Sequence, residues 1–267
     1  MKKLTKTLAL LLAIASLLSG CGGAKEPVQT EPTEPAPVEV ATQEELLAAQ
    51  DEGTKAVLTA DIQLTQGVYV RNPELDGGGH TITGMPHVKE DASTENALLL
   101  GGGIVKDLTV TGSYRCLGDS TEYPTVRDVL LRNVTAEASV VAMHFGRGAK
   151  NKALFAENCT FRGWVLINSI KDIKFTSCTF SHTAEGKNGY FRAFQDVILT
   201  DCRFESFVDE NGQVAKYNIS FHSNTSGVTI YLQDCYVDDT LITQENVQSL
   251  LNINSDYNKV VVANSVD

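Results

Sequence analysis

From residue 105 onward this chain repeats one short motif, and no other feature limits its fold as strongly. The copies are VKDLTVTGS (105–113), VRDVLLRNV (126–134), NKALFAENC (151–159), IKDIKFTSC (170–178), FQDVILTDC (194–202) and GVTIYLQDC (227–235), with a partial copy, NKVVVANS, at 258–265. Each alternates apolar with polar residues and closes on a small residue. The closing positions are spaced 21, 25, 19, 24, 33 and 30 residues apart. Period-two alternation makes strands. A coil of this length holds two or three short strands and their turns, and leaves no room for a crossover helix. Stacking such coils gives a parallel solenoid in which each coil hydrogen-bonds to the next about 4.8 Å away, with insertions looping out of some coils.

Upstream, LDGGGHTITG (75–84) runs into IVKDLTVTGS (104–113). The glycines make a tight turn, and Thr81 and Thr83 alternate with Ile82. A phosphate cradle would need a following helix, and none is signalled, so His80 is not expected to be a ligand. With the repeat, this stretch resembles the right-handed parallel β-helix of the pectate-lyase-like superfamily, over residues 42 to 267. The expected fold is therefore all-β: a single-stranded right-handed parallel β-helix with an N-terminal capping helix. That helix is expected where Thr42-Gln43-Glu44-Glu45 forms a capping box before Leu46, Leu47, Ala48 and Ala49. It would cover the open sheet edge of the first coil.

The first 20 residues carry Lys2, Lys3 and Lys6, then an apolar run, then Leu18-Ser19-Gly20-Cys21. This is similar to a bacterial lipobox. It implies a signal peptide over 1–20, lipidation at Cys21 and anchorage to the cell membrane, facing outside the cytoplasm. Residues 22 to 41 hold Pro27, Pro32, Pro35 and Pro37 among Glu and Thr, the composition of an extended tether. The folded domain is expected over 42–267. The formal charge is −11, and removal of the three leader lysines leaves 19 basic residues against 33 acidic ones, or −14. So acidic a chain is a poor partner for nucleic acid. It also disfavours an acidic glycan unless a cation such as Ca²⁺ bridges the two. No cofactor is otherwise expected, and a monomer is.

The repeat aligns Cys159, Cys178, Cys202 and Cys235 one coil apart. Metal-binding cysteines come in tighter pairs, so these are expected to be small buried residues with free thiols. Phe161, Phe180 and Phe204 follow at a constant offset and should stack. Asn133, Asn158, Ser177, Asp201, Asp234 and Asn264, one residue before each ladder position, suit a tight turn. Asp107, Asp128, Asp172 and Asp196 align at strand starts, where they are either solvated turn residues or a Ca²⁺ ladder.

Motifs of polygalacturonase-like enzymes are missing apart from Asp238-Asp239. Pro124 to Arg127 supplies half of a pectate-lyase RxxPxxR, with Thr121 where the first Arg belongs. The remaining candidate is a further strand in each coil: SVVAMHF, WVLINS, GYFRAF, NISFHS and SLLNIN. Alternation turns Val141, Met143, Phe145, Val165, Ile167, Phe191, Ala193, Ile219, Phe221, Leu251 and Ile253 inward. His144, Trp164, Asn168, Tyr190, Arg192 and His222 then form an exposed outer face, with the insertions 182–189 and 208–217 beside it. Aromatic faces, amides and a guanidinium are what a polysaccharide or other glycan needs. Three readings follow. The first is a non-catalytic, membrane-anchored glycan-binding lipoprotein. The second is a diverged polysaccharide lyase or glycoside hydrolase acting on an acidic polysaccharide, the substrate class the resemblance implies, and using Arg192 or His222. The third is a structural or adhesive surface protein.

Overall fold

In a computed structural model, residues 36–86, 96–146, 152–209, 211–221, 225–254 and 258–263 are described. Cys21 and His222 lie outside the described residues. The protein is mostly β, with one curled, largely parallel sheet of 23 strands among the described residues.

Three parallel ladders make up that sheet. The first starts with Val38–Val40, Ala56–Leu58 and Glu74–Asp76, passes through the start of Gly103–Thr111, and ends at Thr229–Gln233 and Lys259–Val262. The second runs from Ile62–Gln63 through Thr81–Thr83 to Tyr236–Val237. The third runs from Val68–Val70 through Asn96–Leu100 and Arg115–Gly118 to Asn252–Asn254. The 17-residue strand Val129–Phe145 belongs to all three. Two pairings are antiparallel, the small hairpin of Phe207–Val208 with Val214–Ala215 and the pair Tyr236–Val237 with Thr240–Leu241. This arrangement is compatible with a β-helix-like solenoid. No helix among the described residues is long and apolar enough to cross a membrane.

Gln43–Ala48 is a helix, and Thr42 and Glu45 satisfy each other's backbone amides at its start. Leu46 is fully buried in the main core. Val38–Val40, expected in the tether, is instead the first strand, in register with Ala56–Leu58. Its two valines on either side of Glu39 carry a period-two signal that the surrounding Pro and Glu obscure.

The corner between the first and second ladders is built alike on six coils. Asp107, Asn133, Asn158, Ser177, Asp201 and Asp234 all take φ between 50 and 53°, the left-handed region. Asn and Asp tolerate that region best among residues with a side chain. The residue after each is buried: Leu108, Val134, Cys159, Cys178, Cys202 and Cys235. This shifts the first copy of the repeat. Its ladder residue is Leu108, in register with Val134, and not Ser113. Asp107 therefore belongs to the corner row, where it accepts from Asn133 Nδ2 at 2.8 Å, and not to a carboxylate row with Asp128. Asp128 and Asp196 each accept a backbone amide, from Ala153 and Thr229. No cluster of three or more metal-ligating groups occurs among the described residues. At the opening corner, Gly77, Gly78 and Gly79 cross the same place. A Cβ on Gly77 would lie 2.4 Å from the Asp107 carbonyl oxygen, so the coil above leaves room only for glycine.

Core packing follows the repeat. Phe161 and Phe180 stack at 5.6 Å and 24°, and Phe180 and Phe204 at 5.2 Å and 20°. All five cysteines among the described residues are free and buried. Burial pushes the Cys116 and Cys202 thiols up, well away from the reactive thiolate.

Candidate functional site

The outer face of the third ladder carries two rows. One places Arg115, Val141, Trp164, Tyr190, Asn218 and Asn252 on successive coils. The other places Gly118, His144, Leu166, Arg192, Ser220 and Asn254 beside them. Trp164 and Tyr190 are therefore direct neighbours, with ring centroids 5.6 Å apart and planes tilted by 54°.

Val141 was expected inside and lies outside. Pairing slips between Glu137 and Val141, and again between Val141 and Met143, so that Val141 opposes Trp164 while Met143 opposes Val165. The extra residue, Ala142, is buried in the main core. Such a bulge breaks period two and turns the residues before it over to the other face. Gly163 makes the bulge possible. Its φ is +135°, and a Cβ there would sit 2.9 Å from the Ala142 amide nitrogen. Val140, Val141 and Leu166 form a second, smaller apolar cluster, against which Tyr114, Trp164 and Tyr190 pack. Trp164 and Tyr190 are consequently half-buried and not exposed. They wall a depression in place of forming a flat platform for two successive rings. Its volume is about 220 Å³, and Trp164, Leu166, Tyr190 and Arg192 line it.

Both insertions meet this wall. Trp164 Nε1 donates to the Asn188 carbonyl at 3.3 Å, and Asn188 Nδ2 donates to the Lys216 carbonyl at 2.9 Å. Asn218 Nδ2 donates to the Gly189 carbonyl at 3.2 Å, and the Tyr190 hydroxyl bonds Ser220 Oγ.

On the side away from Trp164, Asn168 Nδ2 lies 3.3 Å from His144 Nε2. Burial, reinforced by Arg115 and Arg192, lowers the His144 pKa to about 4. At neutral pH the imidazole is uncharged, and its Nε2 accepts from the amide. Arg115 stacks over the Tyr114 ring at 5.7 Å. The sequence alone did not single out Arg115, because alignment of the first repeat copy on Ser113 hides the strand Arg115–Gly118. Its signal is a polar residue ahead of the apolar pair Cys116-Leu117, both of which lie in the main core. Around this face sit buried polar atoms without a partner: Nε of Arg115 and Arg192, Oδ1 of Asn168 and Asn188, and Oγ of Ser169. Buried polar groups are normally paired, and this mixture of donors and acceptors matches a ligand rich in hydroxyls.

Other catalytic candidates are accounted for structurally. Arg127 donates to the carbonyls of Arg71 and Asn72. Asp238 accepts from Ser206, and Asp239 pairs with Arg203. Ser181 Oγ donates to Glu205 at 2.5 Å and lies 3.2 Å from His182 Nδ1. Here serine stands between histidine and carboxylate, the wrong order for a base that must take the serine proton. His80 Nδ1 lies 3.3 Å from Asp61, within the opening corner.

No protein-family model, curated protein or solved structure matches this chain.

Proposed function

We propose that this protein is a lipid-anchored β-helix lipoprotein that binds a glycan on the outer face of its third ladder. In this reading the ladders form a closed, right-handed solenoid of the pectate-lyase-like kind, and the helix Gln43–Ala48 caps its first coil. The leader 1–20 is a signal peptide, Cys21 carries the lipid, and the chain is held outside the cytoplasm.

One observation carries the binding reading. The depression is lined by Trp164, Leu166, Tyr190 and Arg192, and Nε of Arg192 and, beside Trp164, Oδ1 of Asn188 are buried without a partner. Apolar ring faces beside unsatisfied donors and acceptors are the complement of a sugar, which has an apolar ring face and hydroxyls at its rim.

The test is a glycan array probed with the full chain in detergent, alongside Trp164→Ala. Binding to a defined glycan set by the wild type, lost in Trp164→Ala, is the expected result. Equal retention by both proteins would remove the depression as the site, and release of shortened or unsaturated products would make the protein an enzyme. Anchorage is tested separately: Cys21→Ser should leave an unprocessed precursor or release the chain from membranes. Unchanged detergent partitioning would overturn the lipidation reading.

A further inference from the structure

Resting on the glycan reading, we infer that Asn188 is the positioning residue of the depression: it ties the two insertions into one clasp, and the clasp sets the tilt of Trp164. Trp164 and Tyr190 offer a ligand their ring carbons and little else. The indole N–H is taken by the Asn188 carbonyl, and the Tyr190 hydroxyl by Ser220 Oγ. The angle between the two rings, 54°, therefore decides what shape fits against them. Tyr190 takes its angle from the sheet, because Ser220 lies on the neighbouring strand Asn218–Phe221. Trp164 takes its angle from a loop.

That loop and its neighbour are open at their tips. Gly186 and Gly212 have free space where a Cβ would stand. The insertions meet at their ends instead. At the start, the His182 ring lies 5.6 Å from that of Phe207. At the finish, Asn188 Nδ2 donates to the Lys216 carbonyl at 2.9 Å. Asn188 thus faces both ways, its backbone carbonyl on Trp164 and its side-chain amide on the other insertion. Lys216 Nζ carries the clasp on, donating to the Gln248 carbonyl at 3.2 Å in the helix Val247–Leu250. The residue after Asn188 cannot yield. Tyr217 is fully buried against Phe204, and a Cβ on Gly189 would stand 2.1 Å from Tyr217 Cε2. The Gly189 carbonyl accepts both the backbone N–H of Asn218, at 3.3 Å, and its Nδ2, at 3.2 Å. With Gly189 pinned, the Asn188 amide decides where the Asn188 carbonyl points, and so where the indole lies. The rival support for Trp164 is the apolar cluster of Val140, Val141 and Leu166 beneath it.

Trp164 is the chain's one tryptophan, so its fluorescence reports this geometry with no ligand present. The experiment compares the full chain in detergent with Asn188→Asp, which keeps the size of the side chain and turns its donor into an acceptor facing the Lys216 carbonyl. Asn188→Gln, which keeps the amide on a longer stem, is the conservative variant. Three readouts are taken: Trp164 emission with acrylamide quenching, the rates of tryptic cleavage after Lys187 and after Lys216, and retention on a glycan array. Asn188→Asp should shift emission to the red and increase quenching. It should speed cleavage in both insertions and lower glycan affinity roughly three- to tenfold, the scale of one hydrogen bond. Its thermal midpoint should stay within about 4 °C of the wild type, and Asn188→Gln should recover part of the emission and affinity. Unchanged emission would give the indole to the apolar cluster and overturn the inference. Faster cleavage after Lys187 alone would show that the insertions are not coupled. A large fall in midpoint with no recovery in Asn188→Gln would make Asn188 structural only. Altered emission with wild-type glycan affinity would overturn the positioning role and leave the glycan reading standing. Absence of wild-type binding to every glycan would instead sink the glycan reading, and with it the role of Asn188 in binding, whatever the emission and cleavage show.

Discussion

The corner row and the outer face of the third ladder are parts of one sheet, yet they are built on opposite rules. At the corner, six coils repeat one backbone conformation, with φ between 50 and 53° and a buried residue next in line. On the outer face the residue type changes from coil to coil until the last pair: Arg115, Val141, Trp164, Tyr190 and Asn218 follow one another in register, and only Asn252 repeats its neighbour. Stacking explains the first. Identical corners let each coil lay its amides and carbonyls against the next, so any departure costs hydrogen bonds on both sides. The outer face is not under that constraint, because side chains there meet solvent or ligand. Variation appears where it costs the sheet least, and the depression, the two insertions and the bulge at Ala142 all lie there.

Three substitutions probe this contrast. The largest expected effect is Phe180→Ala, in the aromatic stack behind the corner. It should cost about 3–5 kcal/mol and lower the thermal midpoint by roughly 10 °C. A change within a degree or two in a melting experiment would mean that the stack is not the core of the repeat. Next is Gly163→Ala, on the outer-face strand. Its φ of +135° and the 2.9 Å approach of a Cβ to the Ala142 nitrogen should cost on the order of 1–3 kcal/mol. It should also shift the bulge, so that binding falls more than for other substitutions of equal stability cost. Unchanged binding with lowered stability would separate the bulge from the site.

The smallest effect concerns His144. Its folded pKa, about 4, lies below the ordinary histidine value. Between roughly pH 4 and 6.5 the unfolded chain therefore binds the extra proton, and stability rises with pH across that window. His144→Gln should flatten this part of the stability–pH curve by a modest amount, and the His144 ring signals in NMR should titrate near pH 4. A midpoint near 6.5 would show an open imidazole and a more exposed face than the one described.

The corner row was legible because each of its signals is local. Asn, Asp or Ser before a small or apolar residue is both the turn and the ladder position, and copies after the first align at a glance. Asp107 was misplaced for a local reason as well. VKDLTVTGS resembles the later copies, but its left-handed residue comes five positions earlier than the alignment on Ser113 places it. Trp164, Tyr190, His144, Asn168 and Arg192 do share the outer face, as alternation predicts within a single strand. Alternation failed at Val141, because a strand's parity survives only as long as its pairing does.

What the sequence determined by itself was therefore the repeating unit: period-two strands, the left-handed corner, the phenylalanine stack and the acidic surface. Each is encoded within a few residues and needs no knowledge of the neighbouring coil. Only the tertiary structure decided that Arg115 joins Arg192 across three coils, that Trp164 is half-buried over Val141, and that Asn188 links the two insertions. Those facts depend on which residue lies opposite which. In a sheet whose side chains alternate every residue, one slip in that pairing exchanges the inside for the outside.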